Sequence, residues 1–214
     1  MNTPPSRRGM ERKAHILDVG LRIIGRDGLT NLSLRTLAAE AEVPLGALGY
    51  YFLSKEQFIV EAFDAHLERE LRRVIGTAAA IDAARSPQDV TRLLADFLID
   101  GLRSPENALV AEYEFIVAAS RRADLAQRAG AWQRSFQALL RNTLGRLGSP
   151  EPDADARLVM ATMAGLEIDN LSPAPLDQAR LADIRRSVAR MVTLMSATWT
   201  TSTDPDNETM ENRR

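Results

Sequence analysis

Residues 33–52, SLRTLAAEAEVPLGALGYYF, decide how the chain is read. Ser33 is a good N-cap for a short helix from Leu34 to Ala41, and Pro44 suits the opening turn of a second short helix ending near Tyr51. Leu34, Leu37 and Ala41 share the inner face of the first helix, and Leu48 and Phe52 that of the second. Ala38 is small enough to let the helices approach, and Val43 fills the corner between them. With those anchors buried, Leu45, Gly46, Ala47, Gly49 and Tyr50 must face outward. This is the helix-turn-helix pattern. An exposed helix start offers free amide N–H groups and a positive dipole end to phosphate. Small and aromatic side chains beside it suit close approach to base edges, thymine methyls and sugars.

On either side of this stretch the chain is helical in pattern, with alanine, leucine and arginine dominant and few alternating runs, so the expected fold class is all-α with nine helices. The first is expected from about Arg8 to Gly25, with Ala14, Leu17, Leu21 and Ile24 on one face, stopping at Asp27-Gly28. Ser54 caps a fourth, whose Phe58, Ala62, Ala65 and Leu71 track one face to about Ile75, where Gly76 interrupts. Helices over about 87–102, 105–121, 124–147, 153–171 and 176–199 complete the set. The organisation expected is a helix-turn-helix domain over 1–53, a connecting helix over 54–76, a larger helical domain over 77–199 and a polar, disordered tail over 200–214.

Composition excludes much. A chain of 214 residues with 45% apolar content can bury a core without staples. Cysteine is absent, so disulfides, thiolate nucleophiles and cysteine-ligated metals are out, and only His15 and His66 remain as imidazole donors. No metal centre or cofactor is expected, and no nucleophile elbow, phosphate loop or dinucleotide fingerprint points to an enzyme. The longest apolar runs, such as 78–81 and 115–119, fall far short of the roughly 20 residues of a membrane span. The opening MNTPPSRRGMERK lacks a signal peptide's apolar stretch, so a cytoplasmic protein without membrane partners is expected. The net charge of −2 conceals an asymmetry: residues 1–35 hold seven basic against three acidic side chains, which gives +4 and leaves −6 for the remainder. An anionic polymer, if one binds, would meet the N-terminal end. Arg7, Arg8, Arg12 and Lys13 could grip phosphate there, although Arg7 and Arg8 suit a solubilising tail better.

The stretch VPLGALGYYFLSKEQF resembles the recognition helix and following turn of the TetR family of bacterial transcriptional regulators. The similarity extends backwards through Ser33-x-Arg35-x-Leu37-Ala38 to Gly28, Ile23-Ile24 and Ile16-Leu17, and is strong from residue 8 to about 65. Two positions depart from the pattern. Glu42 stands where the family often has a turn glycine, a place associated with positive φ, and Gly49 stands where a tyrosine usually meets the DNA backbone. The resemblance implies that Arg35, Leu45, Gly46 and Ala47 meet the major groove while Ser33, Tyr50, Tyr51 and Lys55 hold phosphates. Arg35 alone among the base readers carries donors, which favour a guanine edge.

A protein that only bound DNA would not need the residues beyond the fourth helix. Phe97, Phe136 and Met163, with Tyr113, Phe115 and Trp132, are large or adaptable side chains that could line a ligand cavity. Glu112 and Glu167 stand among acids set in apolar helices, and any that faces inward needs a cationic ligand or an internal basic partner. In the last helix Leu181, Ile184, Val188, Met191 and Met195 recur at coiled-coil spacing, and helix eight offers the small residues Ala161 and Gly165. The family resemblance implies that these two helices form a four-helix dimer interface. The function it implies is a homodimeric repressor released from a palindromic DNA operator when a small molecule, cationic in one reading, binds the C-terminal domain. The alternative is a helical protein-interaction module without DNA binding.

Overall fold

The computed structural model describes residues 7–104, 108–172 and 174–199, and the tail expected to be disordered lies outside them. Among the described residues there are nine α-helices and no strand: α1 Arg7–Asp27, α2 Leu34–Glu40, α3 Leu45–Tyr51, α4 Lys55–Ala83, α5 Pro87–Leu102, α6 Ala108–Ala119, α7 Ala123–Arg146, α8 Pro152–Asn170 and α9 Gln178–Ser196. None is long and apolar enough to cross a membrane.

α1 opens at Arg7, within a residue of the expected start, so Arg7 and Arg8 lie in its first turn and not in a tail, and Arg7 pairs with Glu11 one turn on at 3.0 Å. Gly76 does not end α4, which runs on to Ala83. An interior glycine costs about 1 kcal/mol relative to alanine, and the strong helix formers Ala78, Ala79 and Ala80 that follow offset it.

The helices gather into two compact units. One holds α1 to α3, α4 as far as Gly76, α6 and α7 as far as Arg134; the other holds the rest of α4 and α7, α5 as far as Ile99, α8 and α9. In the first, Ile16, Ile23 and Ile24 of α1 join Leu37, Leu48, Phe52, Phe58, Phe63 and Phe115 in one apolar cluster. Phe52 meets Phe58 edge-on with ring centroids 5.1 Å apart, and Phe63 stacks on Phe115 at 4.7 Å. The α1 face expected to be inward is buried at Leu17, Leu21 and Ile24 but exposed at Ala14, and the α4 face is exposed at Leu71. Gly20 is a contact point: a Cβ there would fall into the Phe58 ring, 2.9 Å from Cε1 and closer still to Cζ. Two polar ties hold the loop after α1. Glu114 of α6 accepts the Leu29 N–H at 3.0 Å, and Arg26 bridges Asp27 at 2.6 Å and Glu40 at 2.7 Å.

In the second unit Asp177 caps α9 by accepting the Arg180 N–H at 2.8 Å. The α9 seam of Leu181, Ile184, Val188, Met191 and Met195 is buried within the chain itself, with Val188 fully enclosed and Met191 8% exposed. Side chains already removed from water have almost no area left to offer a second copy, so the seam serves as core within its own chain. Exposed apolar residues lie instead at Leu158 (49%), Ile168 (53%) and Leu194 (56%).

Candidate nucleic-acid interface

The connection between α2 and α3 is a Schellman turn closed by residues the pattern left ambiguous. Ser33 caps α2 by accepting the Thr36 N–H at 3.0 Å, and its hydroxyl also meets that of Thr36 at 2.8 Å. At the other end Glu42 adopts φ 53°, the left-handed region. That lets its own N–H reach Ala39 O at 3.3 Å and the Val43 N–H reach Ala38 O at 2.9 Å. Glycine would adopt this φ more readily. Arg12 of α1 supports the turn by donating to the Glu42 carbonyl at 3.2 Å.

With the turn set, α3 is rotated as its apolar spacing requires. Leu48 and the C-cap Phe52 are buried, whereas Leu45, Gly46, Gly49 and Tyr50 face out and Ala47 is half-buried. Tyr50 is 79% exposed and Tyr51 half-buried, their rings edge-on at 5.2 Å. A Cβ added at Gly46 or Gly49 would meet no atom of the described residues within 4 Å beyond its chain neighbours and its own helix backbone. Arg35 is exposed on the first turn of α2 and, among the described residues, has no hydrogen-bond or ion-pair partner. Lys55 opens α4 and reaches the Thr30 carbonyl at 3.4 Å. Beside it the Glu56 carboxylate accepts from its own backbone N–H and from the Ser54 hydroxyl, which holds it below the usual carboxylate range. Lys13 lies 5.5 Å over the Phe52 ring and pairs with Glu61 at 2.5 Å.

Sequence reasoning raised Arg8 and Arg12 as phosphate contacts but missed Gly9, Glu11 and His15 beside them. Arg8, Gly9, Glu11, Arg12 and His15 of α1 join Tyr50 and Tyr51 around a cleft of about 600 Å³. The signal was present, since positions 8, 12 and 15 share one helical face. What was absent was any local cue that this face borders α3.

The ligand-binding candidates fall in both units. Phe97 and Phe136 stack at 5.8 Å in one, where Met163 is buried and Glu167 half-buried. Glu112, Tyr113, Phe115 and Trp132 belong to the other, with Phe115 enclosed in the core and Glu112 bonded to His66 at 3.2 Å. Glu112 thus has the internal partner that buried acids require. A separate cavity of about 440 Å³ lies between α5 and α9, lined by Thr91, Ala95, Asp96, Arg185, Ala189 and Val192 among others. Asp96 and Arg185 face each other across it at 3.8 Å.

Comparison with known proteins adds sequence evidence to this geometry. The profile described as bacterial regulatory proteins, tetR family, matches residues 16–62, and that described as tetracyclin repressor-like, C-terminal domain, matches residues 85–194. The HTH-type transcriptional regulator BetI of Agrobacterium fabrum is 30% identical over 175 residues, 80% of this chain and 84% of that protein. The HTH-type nicotine-responsive transcriptional repressor HdnoR of Paenarthrobacter nicotinovorans is 29% identical over 112 residues, 52% of this chain and 56% of its own length. Among solved structures, the multidrug binding protein EbrR complexed with ethidium superposes with a TM-score of 0.63 at 29% identity, covering 84% of this chain and 98% of that one.

Proposed function

The chain belongs to the TetR family of bacterial transcriptional regulators, and from that premise we propose that it is a homodimeric cytoplasmic repressor, released from a palindromic operator by an organic cation. The observation that carries DNA reading is the outer face of α3. Gly46 and Gly49 cost a short helix about 1 kcal/mol each, and no contact among the described residues requires them to lack a side chain. The room they leave serves close approach by a partner. Tyr50 beside them, Arg35 on α2 and Lys55 at the start of α4 supply the polar contacts. Operator binding is tested by fluorescence anisotropy on the promoter of the chain's own gene, titrated against salt and against random duplex.

Within that assay Arg35 and Lys55 separate base reading from phosphate holding. Arg35→Ala should cost about 1–3 kcal/mol on the operator and relax sequence preference. Lys55→Ala should weaken all duplexes alike and lower the salt slope by about one. Equal losses on operator and random DNA from Arg35→Ala would remove its base-reading role. The tyrosines divide by burial. Tyr50→Ala should weaken DNA binding with little change in thermal stability, whereas Tyr51→Ala should lower both, with about 1–3 kcal/mol of folding energy lost. A Tyr50 variant that unfolds early yet binds normally would show that α3 meets DNA by another face.

Support for a cationic inducer comes from the ligands named for two relatives: nicotine is an organic base and ethidium a permanent aromatic cation. Phe97 and Phe136, already stacked, offer flat apolar surface to such a molecule. Ethidium itself is the probe: its addition should release operator DNA, and Phe136→Ala should weaken that release. The second copy is proposed to meet α8, where Leu158, Ala161, Gly165 and Ile168 form an exposed stripe at spacings of three, four and three. Small residues at its middle permit close helix approach, and Leu194 adds exposed apolar surface from α9.

A further inference from the structure

We propose that His66, Glu70 and Glu112 form a binding site for a divalent transition-metal cation of the zinc, cobalt or nickel class, which ties α4 to α6. His66 and Glu70 stand four residues apart on α4 and so share a face, and Glu112 reaches them from α6. One nitrogen and two carboxylate oxygens lie within 4.8 Å of one another. His66 is 3% exposed and Glu70 9%, so these donors do not lie on a solvated surface where acids gather by chance.

The geometry suits entry of a metal. His66 Nε2 and Glu112 Oε2 are 3.2 Å apart. Metal–nitrogen and metal–oxygen bonds of about 2.1 Å meeting near 100° span roughly that distance, so a cation can replace the hydrogen bond with little movement of either side chain. Glu70 spends Oε2 on Arg73 at 2.5 Å, which leaves Oε1 to coordinate. Arg73 then acts as the outer partner that orients a ligating carboxylate. Phe115 stacks near the His66 ring at 6.4 Å and restricts its rotation.

Charge favours the same occupant. Two carboxylates face one guanidinium and one imidazole inside an apolar unit. Held within a few ångströms of each other, the Glu70 and Glu112 carboxylates repel one another. A dication turns that repulsion into attraction. Mixed imidazole and carboxylate donors select borderline transition metals over calcium or magnesium, which prefer oxygen alone. The absence of cysteine had argued against a metal centre; the tertiary fold assembles one from other donors. Because α4 starts at Lys55, a cation held there bears on the helix that follows the DNA-reading turn.

The test uses the full chain without a polyhistidine tag, stripped with chelator and titrated with cobalt(II) and then zinc(II). The wild type should bind about one equivalent, give the visible absorption of protein-bound cobalt, and gain thermal stability by mass action. With only two histidines in the chain, the variants partition cleanly. His66→Asn should abolish the absorption and the stabilisation, Glu112→Gln should weaken binding at least roughly tenfold, and His15→Asn should change neither. If His66→Asn does not fold by circular dichroism, Glu112→Gln and Glu70→Gln carry the same test with nearly isosteric side chains. No saturable signal in the wild type, or a signal that survives His66→Asn or disappears in His15→Asn, overturns the site. Operator binding is measured separately, so failure here leaves the regulator reading standing.

Discussion

Gly165→Arg should convert the protein from dimer to monomer and lower its affinity for a two-half-site operator by roughly 10²–10⁴-fold, the advantage that two linked reading heads hold over one. Gly165 lies inside the exposed α8 stripe between Ala161 and Ile168, and beyond its chain neighbours and own helix backbone no atom of the described residues lies within 4 Å of where a side chain would begin. An isologous contact brings the same patch of two copies together, so the substitution sets two guanidinium groups into one apolar contact. The monomer itself should not suffer. Arginine is a better helix former than glycine by nearly 1 kcal/mol, and the site is open, so any loss of stability must come from the lost partner. Sedimentation of the variant decides: an unchanged dimer would place the interface away from α8.

Gly20→Ala should have the opposite character, a large loss of folding stability from the addition of one methyl group. In an exposed helix this exchange stabilises by about 0.5–1 kcal/mol. Here the new carbon would overlap the Phe58 ring, which is fully buried and stands edge-on to Phe52. Phe58 cannot swing into water without emptying the core, so α1 and α4 must separate, at a cost of about 1–3 kcal/mol. Because Phe52 is the C-cap of α3, DNA affinity should fall as well. Urea denaturation should show a lower midpoint for Gly20→Ala, and Phe58→Leu in the same background should restore part of it by making room. A variant as stable as the parent would mean that Gly20 and Phe58 are not in contact.

The comparison of Tyr50 with Gly20 shows how much was legible beforehand. Tyr50 and Tyr51 were separable by counting from Leu48, since adjacent helical positions differ by about 100° whatever the helix packs against. The same rule placed Leu37, Ala38, Val43 and Phe52 inside, where they are found. Gly20 carried no such mark, because its neighbour Phe58 lies in another helix and only their meeting makes the missing side chain necessary. The burial of the α9 seam within its own chain was not legible for a related reason. Spacing identified Val188 and Met191 as inward on some surface but could not say whether that surface belonged to the same chain or to a second copy.

The sequence by itself determined the all-helical class, the helix-turn-helix with its cap at Ser33, and the rotation of α3, because these follow from local hydrogen bonding and a fixed helical period. Tertiary structure alone decided what each apolar or charged face would meet. It brought Glu112 to His66 across 46 positions and Glu114 to the Leu29 amide across 85. It turned the α9 seam into core and left the α8 stripe bare. The physical reason is that periodicity states which side of a helix avoids water, whereas the identity of the surface that covers it is set by the packing of segments far apart in the chain.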